Sequence, residues 1–443
     1  MTLPPTPAKH NLGLLGATCL VIGNIIGVGV FMLPPSLAPF GWNTISGWLL
    51  TLSGSLCLAW VFAVQARQLP HVGGATGILG VALGPGPAFV TAWGYWISAA
   101  AANAAIALGG VNYLGRLVPS LSSSPTLTAA TACGVLWLLT ALNSRGLRVA
   151  GATQVVTTAI KLLPFAMVIL VALLLLFTSG VSAIAPFDRS AITLAGTVGA
   201  SALTLYSMLG LECAAMPAEA VKDPERIVPR ATMLGTTLSG VLSLAVTGAL
   251  VLLMPQAQLA ASAAPLADFV SPTLGSSLGV LITVCVAVGA FGALNGWVLV
   301  VAEVPAALAE HGMLPAWWGV RNARGAATNS VLVSGVLASV LIMLNASPRL
   351  ADMYEFVLLL STSTALVLYL LAPIGALVLA RRGALRTTPA LVIAAVGSVA
   401  FALSAFVGAG LAAVLWGLAL TAAGIPLYLL MAQRRARSSR AAA

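Results

Sequence analysis

Charged side chains are scarce in this chain. Of 443 residues, 20 are Lys or Arg and 10 are Asp or Glu, 7% in all, where a soluble domain carries about 25%. So few charges cannot cover the water-facing surface of a soluble body this large. That excludes a cytosolic enzyme, a secreted domain and a disordered chain. Cysteine is sparse too: Cys19, Cys57, Cys133, Cys213 and Cys285 are odd in number, sit in apolar runs and show no metal-ligand spacing, which argues against a disulfide scaffold or a zinc module. Three scattered histidines, His10, His71 and His311, form no metal cluster. No Ser-His-Asp grouping is visible either, so neither an enzyme nor a cofactor-binding protein is implied. The first apolar run extends too far for a cleavable leader and reads as a span.

Apolar sequence fills the remainder. Hydrophobic residues make up 60% of the chain and mean hydropathy is +1.04. Runs such as Leu238–Met254 are continuous, unlike the alternating ~10-residue strands of a membrane barrel. The chain reads as an all-α, multi-pass membrane protein. At roughly 20 apolar residues per span, twelve segments are predicted: 12–40, 44–67, 87–116, 126–144, 150–179, 193–221, 229–254, 273–309, 327–346, 355–380, 389–407 and 409–433.

Basic residues orient these spans. With the N-terminus inside, Lys9, Arg67, Arg145, Arg148, Lys222, Arg226, Arg230, Arg321, Arg324, Arg381, Arg382, Arg386, Arg434, Arg435, Arg437 and Arg440 are cytoplasmic. Arg116, Arg189 and Arg349 are outside, and Lys161 falls within a segment. A bias of 16 to 3 places both termini in the cytoplasm and makes the span number even. The formal charge of +10 is then accounted for by topology and contact with anionic lipid, with no nucleic-acid partner.

Two segments are poor material for unbroken helix. The first contains Gly23-Asn24-Ile25-Ile26-Gly27-Val28-Gly29-Val30-Phe31-Met32-Leu33-Pro34-Pro35. Its glycines could simply pack against another helix, since Gly23 and Gly27 have the small-residue contact spacing. The sixth holds Tyr206-Ser207-Met208-Leu209-Gly210-Leu211-Glu212-Cys213-Ala214-Ala215-Met216-Pro217, again a mid-span glycine followed by a proline, now with an acid. Interruptions at corresponding positions in two halves point to a transporter substrate site. Unwound N–H groups and positive half-helix ends suit a carboxylate, and freed carbonyls suit an ammonium. An α-amino acid carries both groups.

At these residues the chain resembles the amino acid–polyamine–organocation superfamily. Within it the chain is similar to the bacterial basic amino acid/polyamine antiporters, which exchange arginine with agmatine or ornithine with putrescine. The resemblance covers about residues 12–430 and is carried by Gly23–Pro34, by Val221-Lys222-Asp223-Pro224-Glu225-Arg226-Ile227-Val228-Pro229-Arg230, by the spacing of Tyr95-Trp96 to Asn103, and by Gly296-Trp297. It implies a five-plus-five inverted-repeat core with discontinuous helices 1 and 6, two further C-terminal helices, a homodimer and a location in the bacterial inner membrane. Residues 1–11 would be the cytoplasmic N-terminus, 12–191 the first repeat, 192–381 the second, 382–433 helices 11 and 12, and 434–443 a basic cytoplasmic tail. By position it implies a carboxylate site on the backbone of Val28 and Gly29, and an amino site on carbonyls of Ile25, Tyr206 and Leu209. The substrate side chain would lie near Ser98, Ala99, Asn103 and Trp297, with gating at Tyr95, Tyr206, Glu212 and Tyr369. Two departures stand out: valine at 28, where close relatives have serine, and tyrosine at 206, where they have tryptophan.

Several of these residues carry chemistry of their own. A charge in mid-membrane costs about 2.5–3.5 kcal/mol on insertion scales, so Glu212 reads as a proton-sensing gate, as counter-charge to a cationic substrate, or as a carboxyl bonded to unwound backbone. Trp297 offers a π-face to a guanidinium or ammonium or packs in the core. Asn103, in an alanine-rich run, either joins two helices or binds a polar head. Lys161 resembles the lysine that stands in for a sodium ion in some superfamily members, a feature pulling towards neutral-amino-acid or proton-coupled carriers; otherwise it snorkels to the cytoplasmic face. Glu303 either pairs with a basic neighbour or lines an inner vestibule. Asp352 and Glu355 suit the positive end of a helix. The combined reading is an amino-acid or amine exchanger working by alternating access, with a proton-coupled or exchange carrier of neutral amino acids as the alternative. Reporter fusions after Gly408 and after Ala443 test the orientation: only the second should be active in the cytoplasm, and the reverse pattern would invert the topology.

Overall fold

The computed structural model describes residues 13–69, 72, 74–144, 151–212, 223–323, 325–344 and 353–442. Lys9, His10, His71, Arg145, Arg148, Cys213, Lys222, Arg324, Arg349, Asp352 and the second part of the sixth segment lie outside the described residues. Among the described residues every regular element is helical. Among the described residues nine helices are long and apolar enough to cross a membrane, and one bent pair makes a tenth. In chain order they are α3 (Asn43–Gln68), α5 (Pro85–Gly115), α6 (Pro125–Ser144), α7 (Gly151–Ser179), α9 (Pro224–Leu253), α12 (Ser276–Glu310), α14 (Met353–Arg381), α15 (Pro389–Gly408) and α16–α17 (Leu411–Ala422, Ile425–Ala442). The bent pair is α1 (Leu14–Ile25) and Val28–Phe40, at 42°, the latter made of α2 (Val28–Leu37) and the single turn that follows it. The sixth and ninth predicted segments correspond to α8 (Leu194–Tyr206) and α13 (Thr328–Leu344), which at 13 and 17 residues fall short of the roughly 20 of a full span. Three short helices were not anticipated: α4 (Gly74–Leu83), α10 (Gln256–Ala260) and α11 (Pro265–Leu274).

The helix α5 runs through the centre and is buried along most of its length. It can sit there because its inner turns are alanine and glycine, which let other backbones approach closely. A Cβ on Gly109 would stand 2.8 Å from Val28 Cγ2, and one on Gly110 would stand 2.6 Å from Phe291 Cε1. The missing side chains thus admit α2 on one flank and α12 on the other. On another side α3 packs against α8 through hydroxyls: Thr51 Oγ1 lies 2.8 Å from Ser201 Oγ and 2.7 Å from Thr204 Oγ1.

Both breaks follow from backbone chemistry. At Ile26 (φ −75°, ψ 90°) and Gly27 (φ −114°, ψ −161°) the first helix turns extended before α2 begins. In the sixth segment the chain tightens after Tyr206, with Ser207, Met208 and Leu209 donating three residues back to Thr204, Leu205 and Tyr206. Gly210 then adopts φ +103°, a conformation open to glycine and strained for other residues.

Near the C-terminal end of α12 Glu303 takes the first of its two anticipated roles. Arg321 grips it with two N–H groups, at 2.8 and 3.2 Å, and reaches Glu310 at 3.0 Å. Arg435 of α17 donates to the carbonyls of His311 and Gly312, where α12 ends and its carbonyls have no intrahelical donor. Packing between α3 and α15 is tested at Gly54, where a Cβ would overlap the Phe401 ring. Gly54→Ala should cost about 1–3 kcal/mol, as overpacking does, seen as a lower melting temperature in detergent. Gly134→Ala, with open space around it, should not lower that temperature; equal effects would contradict the packing.

Candidate functional site

The two breaks meet. A Cβ on Gly29 would lie 2.9 Å from Tyr206 Cδ1 and 3.2 Å from Ser207 Oγ, and one on Gly210 would lie 3.0 Å from the Asn24 carbonyl oxygen. Between them is a cavity of about 20 Å3. Asn24, Ile25, Gly27, Val28 and Gly29 line it from the first break, and Tyr206, Ser207 and Leu209 from the second. Ala102 and Ile106 of α5 and Trp297 of α12 complete the wall. A water needs about 10–15 Å3 on this measure. The cavity therefore takes about one water, and anything larger fits only if the lining side chains move.

The polarity of the walls comes from the backbone. Gly27 caps α2 with no side-chain acceptor, so the first-turn N–H groups and the positive helix end face the cavity at Val28 and Gly29. A helix N-terminus of this kind suits an anionic group. Opposite, α8 ends at Tyr206, where carbonyls and the negative helix end suit a cation. The Ile25 carbonyl already accepts from Gly27 N at 2.9 Å and that of Tyr206 from Leu209 N at 3.3 Å; each keeps a second lone pair.

The structure brings Glu212 together with Tyr95 and Tyr369. Tyr95 donates to Glu212 Oε1 at 2.7 Å, Tyr369 to Oε2 at 2.6 Å, and Gly210 N–H to Oε2 at 3.2 Å. Glu212 is 4% exposed. It joins α5, α14 and the second break at one point, and the bond to unwound backbone coexists with the contacts to the two tyrosines. A group whose charge the membrane opposes is retained here by three donors.

Lys161 does not snorkel. It is 1% exposed and its ammonium donates to the Gly23 carbonyl of α1 at 2.9 Å. Its stem passes Gly289 of α12, where a Cβ would stand 2.9 Å from Lys161 Cγ. The lysine thus spans from α7 to the helix that precedes the first break. Among the described residues no carboxylate forms an ion pair with it.

The anticipated side-chain pocket divides. Trp297 lines the cavity, whereas Ser98, Ala99 and Asn103 are buried on α5 and do not line it. Ser98 Oγ donates to the Ser361 carbonyl at 2.8 Å, and Ser361 Oγ returns a bond to the Ser98 carbonyl at 2.9 Å. Asn103 Oδ1 is buried with no hydrogen-bond partner, an acceptor whose desolvation is uncompensated. Sequence reasoning missed Asn24, Ser207, Ala102, Ile106 and Ser361. Ala102 and Ile106 are i and i+4 on the face of α5 that also carries Asn103's neighbour Ala99, so helical spacing could have found them. Nothing local marks Ser361.

Gly210→Ala tests the contact between the breaks, because a methyl there meets the Asn24 carbonyl and the backbone needs positive φ. Transport should fall at least tenfold with membrane insertion intact; near-normal activity would mean that the two breaks need not touch.

Comparison with known proteins agrees with this geometry. The amino acid permease family model matches residues 12–431. A protein named putrescine transporter PotE from Escherichia coli K12 is 28% identical over 432 residues, covering 96% of this chain and 98% of the relative. Its namesake from Haemophilus influenzae is 29% identical over 426 residues, 95% and 97% of the two chains. A cadaverine/lysine antiporter from Escherichia coli K12 is 29% identical over 340 residues, 76% and 75%. With the bent first helix pair meeting the end of α8 at a small cavity, and a family match along nearly its whole length, the chain belongs to the amino acid permease family of multi-pass membrane transporters.

Proposed function

We propose that the protein is a secondary active antiporter that exchanges a basic amino acid for a related amino acid or amine by alternating access. The observation that carries this reading is the opposition of the α2 N-terminus and the α8 C-terminus across one cavity. The carboxylate binds the N–H groups of Val28 and Gly29, and the ammonium binds carbonyls of Ile25, Tyr206 and Leu209. The side chain extends past Trp297 towards Asn103, Ser98 and Ala99. Tyr206 closes the cavity, while Tyr95, Glu212 and Tyr369 form a gate joining α5, α14 and the second break. The printed names of the relatives, a putrescine transporter and a cadaverine/lysine antiporter, favour amines and basic amino acids. Residues 12–191 and 192–381 form the two inverted repeats of a twelve-span carrier, 382–433 add two helices, and 1–11 and 434–443 face the cytoplasm. The carrier works as a homodimer in contact with lipid of a bacterial inner membrane.

A second reading, a carrier of neutral amino acids driven by exchange or by protons, draws on Lys161. Its bond to Gly23 braces α1 with a cation and gives a proton-dependent contact within the site's supporting shell. Val28 leaves the carboxylate without a side-chain hydroxyl, which fits backbone-only recognition of any α-amino acid.

Proteoliposomes loaded with arginine, ornithine, lysine, a diamine or a neutral amino acid, and assayed for uptake of each labelled compound, test both. Internal basic substrate should accelerate uptake; if no internal compound does so, exchange is wrong. Loss of the cation–π contact in Trp297→Leu should weaken binding of basic substrates about 2- to 30-fold, the equivalent of about 0.5–2 kcal/mol, with neutral ones little changed. Accumulation driven by an imposed pH gradient and abolished in Lys161→Ala would instead establish the second reading.

A further inference from the structure

The helix α2 contains Pro34 and Pro35. Proline has no N–H, so the carbonyls four residues earlier, those of Val30 and Phe31, have no intrahelical donor. At the far end of α5, Tyr113 is fully buried and its hydroxyl donates to the Phe31 carbonyl at 2.9 Å. The same hydroxyl accepts from Leu266 N–H at 3.4 Å. Leu266 is the second residue of α11, where an N–H has no partner in its own helix. One oxygen thus satisfies an orphan acceptor in α2 and an orphan donor in α11, from a side chain rooted in α5. Three residues along, Arg116 forms an ion pair with Asp268 and donates to Ser271 Oγ at 2.8 Å, so α11 is held to α5 at two heights.

Phe31 lies two residues beyond Gly29, within the first helical turn that begins at Val28. Anything that fixes the Phe31 carbonyl also fixes the N–H groups facing the cavity. We propose that Tyr113 is a positioning residue that couples the tilt of α2, and with it the anion cradle, to the docking of α11, so that affinity for a carboxylated substrate depends on this hydroxyl. The inference rests on the transport reading above. It assigns Tyr113 no contact with substrate: the hydroxyl acts through α2.

Tyr113→Phe keeps the ring and removes only the oxygen. In exchange assays the KM for the amino acid should rise about 5- to 20-fold while maximal exchange stays within about twofold, the pattern of lost uniform binding. The KM for the matching diamine, which has no carboxylate to seat, should not move. Pro35→Ala supplies α2 with the missing N–H, so adding Tyr113→Phe to it should raise the amino-acid KM by less than about half as much as in the wild type, a non-additive cycle. A variant that merely loosened packing would move both substrates alike, and that result, or no change in either, overturns the proposal. A readout independent of transport is labelling of Ala267→Cys, a buried α11 position, by a membrane-impermeant maleimide after the native cysteines are replaced. Tyr113→Phe should speed labelling at least fivefold, and an unchanged rate overturns the coupling. If the wild type exchanges nothing, the transport reading fails, and the labelling still decides whether Tyr113 holds α11.

Discussion

A helix interrupted inside a membrane leaves N–H and C=O groups that lipid cannot satisfy, and the rest of this structure is arranged around that constraint. The two interruptions are placed against one another, so each faces protein and a small cavity in place of hydrocarbon. Glycine is what permits the contact. Gly29 leaves room for the Tyr206 ring, and Gly210 leaves room for the Asn24 carbonyl while adopting a backbone angle closed to other residues. The same geometry shapes the cavity, because the groups withdrawn from helical bonding lie beside it.

The two buried ionisable side chains stand in the same relation to the breaks. Glu212 accepts from Gly210 N–H and from two tyrosines on different helices, while Lys161 donates to Gly23. Each charge is expensive in lipid, and each is held by backbone next to an interruption. A comparable link lies at Tyr113, where proline chemistry in α2 and the unpaired start of α11 converge on one hydroxyl.

Much of the fold was legible. Long apolar runs identified the major spans, and clusters of glycine and proline located both breaks within a few residues, since these signals act locally on helix propensity. The short helices α4, α10 and α11 were not legible, because five to ten residues flanked by glycine and proline give too little periodicity to separate helix from loop. Glu303 is instructive: its pairing was foreseen as one of two options, but the partner, Arg321, comes from the connection after α12, a placement that depends on how the chain doubles back.

Composition and local pattern alone decided that this chain lives in a bilayer, where its helices run and where two of them must fail. Those outcomes depend on residues within a few positions of each other. The convergence of the failures on a single cavity, the meeting of Glu212 with Tyr95 and Tyr369 from 117 and 157 residues away, and the reach of Lys161 to Gly23 across 138 residues were decided by packing. Such contacts arise only when small residues on α5 let several helices approach one axis, and no local signal along the chain encodes which distant partner will fill the space.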